Sequence, residues 1–170
     1  MIWRKALSRL QEKVGNMTQH TRRMFLTVAG SGMALSAVGL RAETVAAMVV
    51  WKDPNCGCCG GWVEHLRTNG FAVTVEEASN LAPIKAQRGV PAELVACHTA
   101  SIGRYTIEGH VPVAAIKRLL AVKPEAIGLA VPGMPAGSPG MGGVPERYEV
   151  VLVGKGSPVS FGSFVGERPA

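Results

Sequence analysis

Nothing in this 170-residue sequence repeats, and it carries no glycine-rich phosphate-binding motif. Those absences exclude a solenoid and the common nucleotide-binding loops. A long apolar run is missing too. The best stretch, Phe25–Leu40, has 16 residues, short of the roughly 20 that a spanning helix needs. Net charge is missing where a nucleic-acid surface would want it. The chain carries +6 overall, but seven of its 18 Lys and Arg and only one of its 12 acids fall in residues 1–42. Eleven of each sign remain downstream, so the basic excess belongs to the leader and no nucleic-acid partner is expected.

The leader reads as an export signal. Thr21-Arg22-Arg23-Met24-Phe25-Leu26 is a twin-arginine pattern ahead of a weakly apolar run containing Gly, Ser and Thr. We read residues 1–42 as this signal, cleaved after Ala42 or Ala47, with an uncleaved anchor as the alternative. After cleavage no membrane span is expected. The compartment would be the periplasm, where unprotected thiols tend to oxidise.

Downstream, Ala46–Trp51 is an apolar run closed by the turn residues Lys52-Asp-Pro-Asn55, which predicts a buried strand. Trp62, Val63 and Leu66 have helical spacing within Gly60–Asn69, before the helix stop Gly70. Phe71–Glu77 alternates like a strand, and Asn80–Arg88 suggests a short helix. Leu94–Thr99 and Tyr105–Glu108 read as a hairpin about Gly103, and Pro112–Val122 as a helix with one apolar stripe. This order is that of a thioredoxin-like α/β domain over residues 43–123. In such proteins the position of Pro91 often holds a cis proline. Gly128–Pro145 is too rich in Gly and Pro for a regular element. Tyr148–Val153 and Val159–Phe164 predict a terminal β-hairpin, so residues 124–170 form a C-terminal extension on the same domain.

The chemistry sits at one junction. Cys56-Gly-Cys58-Cys59 lies between the first strand and the first helix, and Cys97 is the fourth cysteine. Sulfur at a helix N-terminus is stabilised as thiolate, which is both the nucleophile and the soft-metal ligand. Three readings compete. Two structural disulfides suit an even cysteine count, but Cys58 and Cys59 are adjacent and only Cys97 is distant. A Cys56–Cys59 exchange pair has the geometry of a thiol–disulfide enzyme, with Cys58 an awkward third sulfur. A metal site would use Cys56, Cys58, Cys59 and Cys97 together.

Thiolate clusters select Cu(I), zinc or iron–sulfur. Zinc is less favoured, because its structural sites usually show two separated ligand pairs. Met134 and Met141 in the glycine-rich loop offer soft thioethers that suit copper. His110, just before a helix, is the best-placed imidazole. His65, a turn beyond the thiols, could face solvent. His98 adjoins Cys97, so on one strand it would point to the opposite face. Trp51 and Trp62 flank the loop and read as core residues shielding it.

The runs WKDPNCGCCGGWVEHLRTNGF, GVPAELVACHTASIGRYTIEGHVP and GLAVPGMPAGSPGM resemble the CopG-type copper-resistance proteins over about residues 47–165. The resemblance implies a thioredoxin-like domain whose C-terminal extension contributes to metal binding. It also implies a thiolate-bridged, multinuclear copper cluster and interconversion of Cu(I) and Cu(II). The expected protein is therefore a monomeric periplasmic copper binder serving copper resistance, with copper ions and periplasmic efflux or redox proteins as partners. Its activity would be that of a copper oxidoreductase, with a thiol–disulfide oxidoreductase and a passive copper chaperone as the alternatives.

Overall fold

The computed structural model describes residues 46–170; the twin-arginine leader lies outside the described residues. The strands are β1 (Ala47–Lys52), β2 (Ala72–Glu77), β3 (His98–Ile102), β4 (Tyr105–Glu108), β5 (Gly128–Ala130), β6 (Arg147–Val153), β7 (Val159–Val165) and β8 (Arg168–Pro169). The helices are α1 (Gly57–Thr68), α2 (Ala82–Gln87) and α3 (Val113–Val122), with a 3-10 turn at Ala92–Leu94. It is a mixed α/β fold with one sheet, ordered β2-β1-β3-β4-β5-β6-β7-β8. β1 runs parallel to β2 and antiparallel to β3, and β4 runs parallel to β5.

α1 forms because Cys59, Trp62, Val63 and Leu66 recur at helical spacing and all four are buried. It stops where Gly70 takes a positive φ of 89°, and the Phe71 N–H returns to the Leu66 carbonyl. α3 buries Val113, Ala115, Ile116 and Leu119, and ends at Lys123 in the left-handed region. These faces meet Met48, Val50 and Ile107 from the sheet in one apolar core. Each large side chain so buried contributes about 1.5–3 kcal/mol.

Four expectations need correction. The glycine-rich segment does hold a regular element, β5, between β4 and β6. A Cβ at Gly128 would overlap the Thr106 carbonyl oxygen, so glycine is what lets β5 close on β4. β3 starts at His98 rather than Leu94, because Ala92–Leu94 curls into the 3-10 turn. The bond before Pro91 is trans, and no cis peptide occurs among the described residues. Trp51 is half-buried, not core: its indole donates to Glu76 and the Arg88 guanidinium lies over its ring.

Candidate metal centre

The turn after β1 is tied by the Asp53 carboxylate to the Asn55 N–H at 2.8 Å and by the Asp53 carbonyl to the Cys56 N–H at 3.1 Å. That places Cys56 at the N-cap of α1, with Cys58 and Cys59 in the first turn. Residues three apart share a helix face. Cys56 and Cys59 are joined by a disulfide, their Cα atoms 5.4 Å apart. Cys58 and Cys97 are free thiols. The Cys58 Sγ lies 3.5 Å from the Cys56 Sγ, and the Cys59 Sγ lies 3.9 Å from the Cys97 carbonyl oxygen. All four sulfurs fall within 4.8 Å of one another.

Cys97 arrives on a bend just before β3. Its Sγ is 3.2 Å from His98 Nδ1 and 3.2 Å from His110 Nε2. His110 Nδ1 meets the Pro139 carbonyl at 2.7 Å. A carbonyl can only accept, so Nδ1 carries the proton and Nε2 presents its lone pair to the sulfur. The second His98 nitrogen, Nε2, is buried and has no hydrogen-bond partner among the described residues. The His98 ring lies 4.3 Å from the Trp62 ring, and His110 meets it edge-on at 5.0 Å. Trp62 is fixed in turn by its indole N–H on the Val111 carbonyl, at 2.9 Å.

This environment disfavours charge. Burial, then the neighbouring Cys58, push the Cys97 thiol up to about 12. Burial, with the nearby His110 and Lys85 adding to it, brings His98 down to about 3. Burial also lowers His110, partly offset by its bond to Pro139. The centre thus holds neutral imidazoles beside a protonated thiol. Neutral imidazole is a ready metal ligand, and a bound cation would let the thiol deprotonate.

The glycine-rich loop lies against the first turns of α1. A Cβ on Gly61 would come within 3.0 Å of the Gly140 Cα, and one on Gly140 would overlap the Trp62 N. Gly140 sits at φ 82°, which also favours glycine. Met141 follows Gly140 directly in this loop, whereas Met134 is 59% exposed.

The structure brings the four cysteines together and sets His110 against Cys97. His98 joins them against expectation: Cys97 precedes β3, so the alternation that would have turned His98 away does not apply. His65 is engaged elsewhere. Its Nδ1 donates to Glu167 at 3.0 Å and its Nε2 accepts from the Val113 N–H at 3.4 Å. Sequence reasoning missed Lys85, Thr99 and Glu108, a buried polar cluster beside the Cys97 bend. No pattern marks it, since a lysine on a short helix and alternating polar residues on a strand both read as solvated.

Fold and site define a mixed α/β protein with, among the described residues, a sulfur-and-imidazole centre of metal-binding chemistry. The chain belongs to the CopG-type copper-resistance family. Two solved structures, titled "Copper resistance protein copG- Form 2" and "Copper resistance protein copG- Form 1", are each 40% identical to it with a TM-score of 0.66. The match covers 70% of this chain in both cases, and 98% and 97% of the two relatives. A family model described as "Protein of unknown function, DUF411" matches residues 94–141, the span from the Cys97 bend to Met141. No curated protein matches the chain by sequence.

Proposed function

We propose that this protein binds copper in the periplasm through Cys56, Cys58, Cys59 and Cys97, as part of copper resistance. The observation that carries the reading is the approach of all four sulfurs to within 4.8 Å, with His110 Nε2 aimed at one of them. Reduction of the Cys56–Cys59 disulfide takes two electrons and two protons and frees two further thiols. Four thiolates so close suit several bridged Cu(I) ions, and the imidazoles of His110 and His98 keep Cu(II) accessible. Met134 and Met141 supply soft thioethers from the loop. Interconversion of the two copper states is the activity this donor set favours. The β2-β1-β3-β4 half of the sheet, with α1 between β1 and β2, supports a thioredoxin-like core. Residues 124–170 then act as an extension that brings the loop to the centre.

Quantifying copper and zinc together in the reduced, exported chain tests the reading. Copper should be retained in excess of zinc; zinc alone, or no metal, would overturn it. Export is tested by changing Arg22 and Arg23 to Lys, which should hold the protein in the cytoplasm.

A second reading has its own observation. The disulfide spans a C-x-x-C pair at a helix N-terminus, the geometry of a thiol–disulfide oxidoreductase. Insulin reduction that depends on Cys56 and Cys59 but not on Cys58 or Cys97 would favour it.

A further inference from the structure

The one buried side chain of α2 belongs to a lysine. Lys85 Nζ donates to Glu108 Oε1 at 2.6 Å and to Thr99 Oγ1 at 2.9 Å, and the Thr99 hydroxyl donates to Glu108 Oε2 at 2.7 Å. All three side chains are buried. Such a pair is poor value as a stabiliser, because apolar residues of similar volume usually serve a fold as well or better. What the cluster does hold is backbone. Glu108 Oε1 also accepts the Ala96 N–H at 2.7 Å. Ala96 and Cys97 lie before β3, so this amide has no ladder partner in the sheet. The next residue of the β4 end acts on the same spot. Gly109 sits at φ 72°, and a Cβ there would come 2.9 Å from the Ala96 Cβ.

We propose that Glu108, locked by Lys85 and Thr99, is a positioning residue of the metal centre. It pins Ala96, and thereby holds the Cys97 sulfur between Cys58 and the two imidazoles. The inference rests on reading the four-sulfur centre as a copper site. Its physical basis is that a ligand loosened by a lost outer hydrogen bond binds metal less well even when its own donor atom is intact.

Two uncharged pairs of substitutions separate this from a general effect of burial. Lys85→Met with Glu108→Gln keeps an acceptor for the Ala96 N–H; Lys85→Met with Glu108→Leu removes it. The full chain is labelled with iodoacetamide in its disulfide form, where Cys58 is the internal reference for Cys97. Copper per chain is then measured after reduction. The leucine pair should label Cys97 about ten-fold faster relative to Cys58, the change expected for losing a buried bond to an arm that opens locally. Its copper content should fall to that of Cys97→Ser. The glutamine pair should match the unsubstituted chain in both. Equal behaviour of the two pairs, in either direction, would overturn the proposal. Should the leucine pair fail to fold, Glu108→Asp makes the comparison by withdrawing the carboxylate one methylene from Ala96, and wild-type labelling there is the refuting result. A chain that takes up no copper even unsubstituted defeats the copper reading, while the labelling ratio still decides the role of Glu108.

Discussion

The Cys58 sulfur stands 3.5 Å from the Cys56 sulfur, which is already bonded to Cys59. On the proposed copper reading, metal uptake and this disulfide would compete for the same atoms. Copper bound per chain should be low in the oxidised protein and rise after anaerobic treatment with a phosphine reductant. A copper content indifferent to reduction, measured by elemental analysis, would contradict the competition.

If copper bridges the sulfurs, no single cysteine is a bystander. Cys58→Ser and Cys97→Ser should each cost about as much copper as Cys56→Ser, and each should weaken the visible thiolate-to-Cu(II) bands. Met134→Ala and Met141→Ala should cost less. Full copper content in Cys58→Ser would sink this expectation.

Acid should destabilise the metal-free fold earlier than its carboxylates require. His98 is held neutral by burial, so its folded pKa of about 3 lies well below its unfolded value. Protons then bind the unfolded chain preferentially as pH falls through about 6.5, and stability drops by up to roughly 1.4 kcal/mol per pH unit for such a group. The contribution is fully present above that range. Urea unfolding at about pH 7.5 and about pH 5.5 reads the slope; a flat profile would mean that His98 is accommodated as imidazolium.

Gly140→Ala should push the loop off α1. The position combines φ 82° with an overlap onto the Trp62 N and the Cys58 carbonyl. Strain of this kind costs on the order of 1–3 kcal/mol. Thermal unfolding should shift down and copper content should fall with it. Gly142→Ala, where an added Cβ meets nothing within 4 Å, should leave both unchanged.

How much of this was readable from residues follows from which forces leave a local trace. The strand–turn–helix junction with its three thiols was legible, because apolar spacing and turn residues are local. Cys97 was legible as the distant partner. Its bend was not, since Val95 and Ala96 look like strand residues and only the 3-10 turn before them breaks the alternation. β5 was hidden because Gly128 is chosen for close approach to Thr106, not for strand propensity. Lys85 was hidden because its burial is imposed by Thr99 and Glu108 across the sheet, and no window of sequence contains all three.

The pairing of β4 with β5 has a further result. The Val131 N–H reaches the Glu108 carbonyl at 3.0 Å, and the Thr106 N–H reaches the Ile127 carbonyl at 2.9 Å. A chain ended after Val122 would leave those β4 groups open, beside the apolar Tyr105 and Ile107. An uncovered edge of that kind is a template for another copy. The shortened chain is therefore expected to precipitate at concentrations the full-length protein tolerates, and the segment carrying the loop would then serve a second end, that of keeping neighbouring molecules apart.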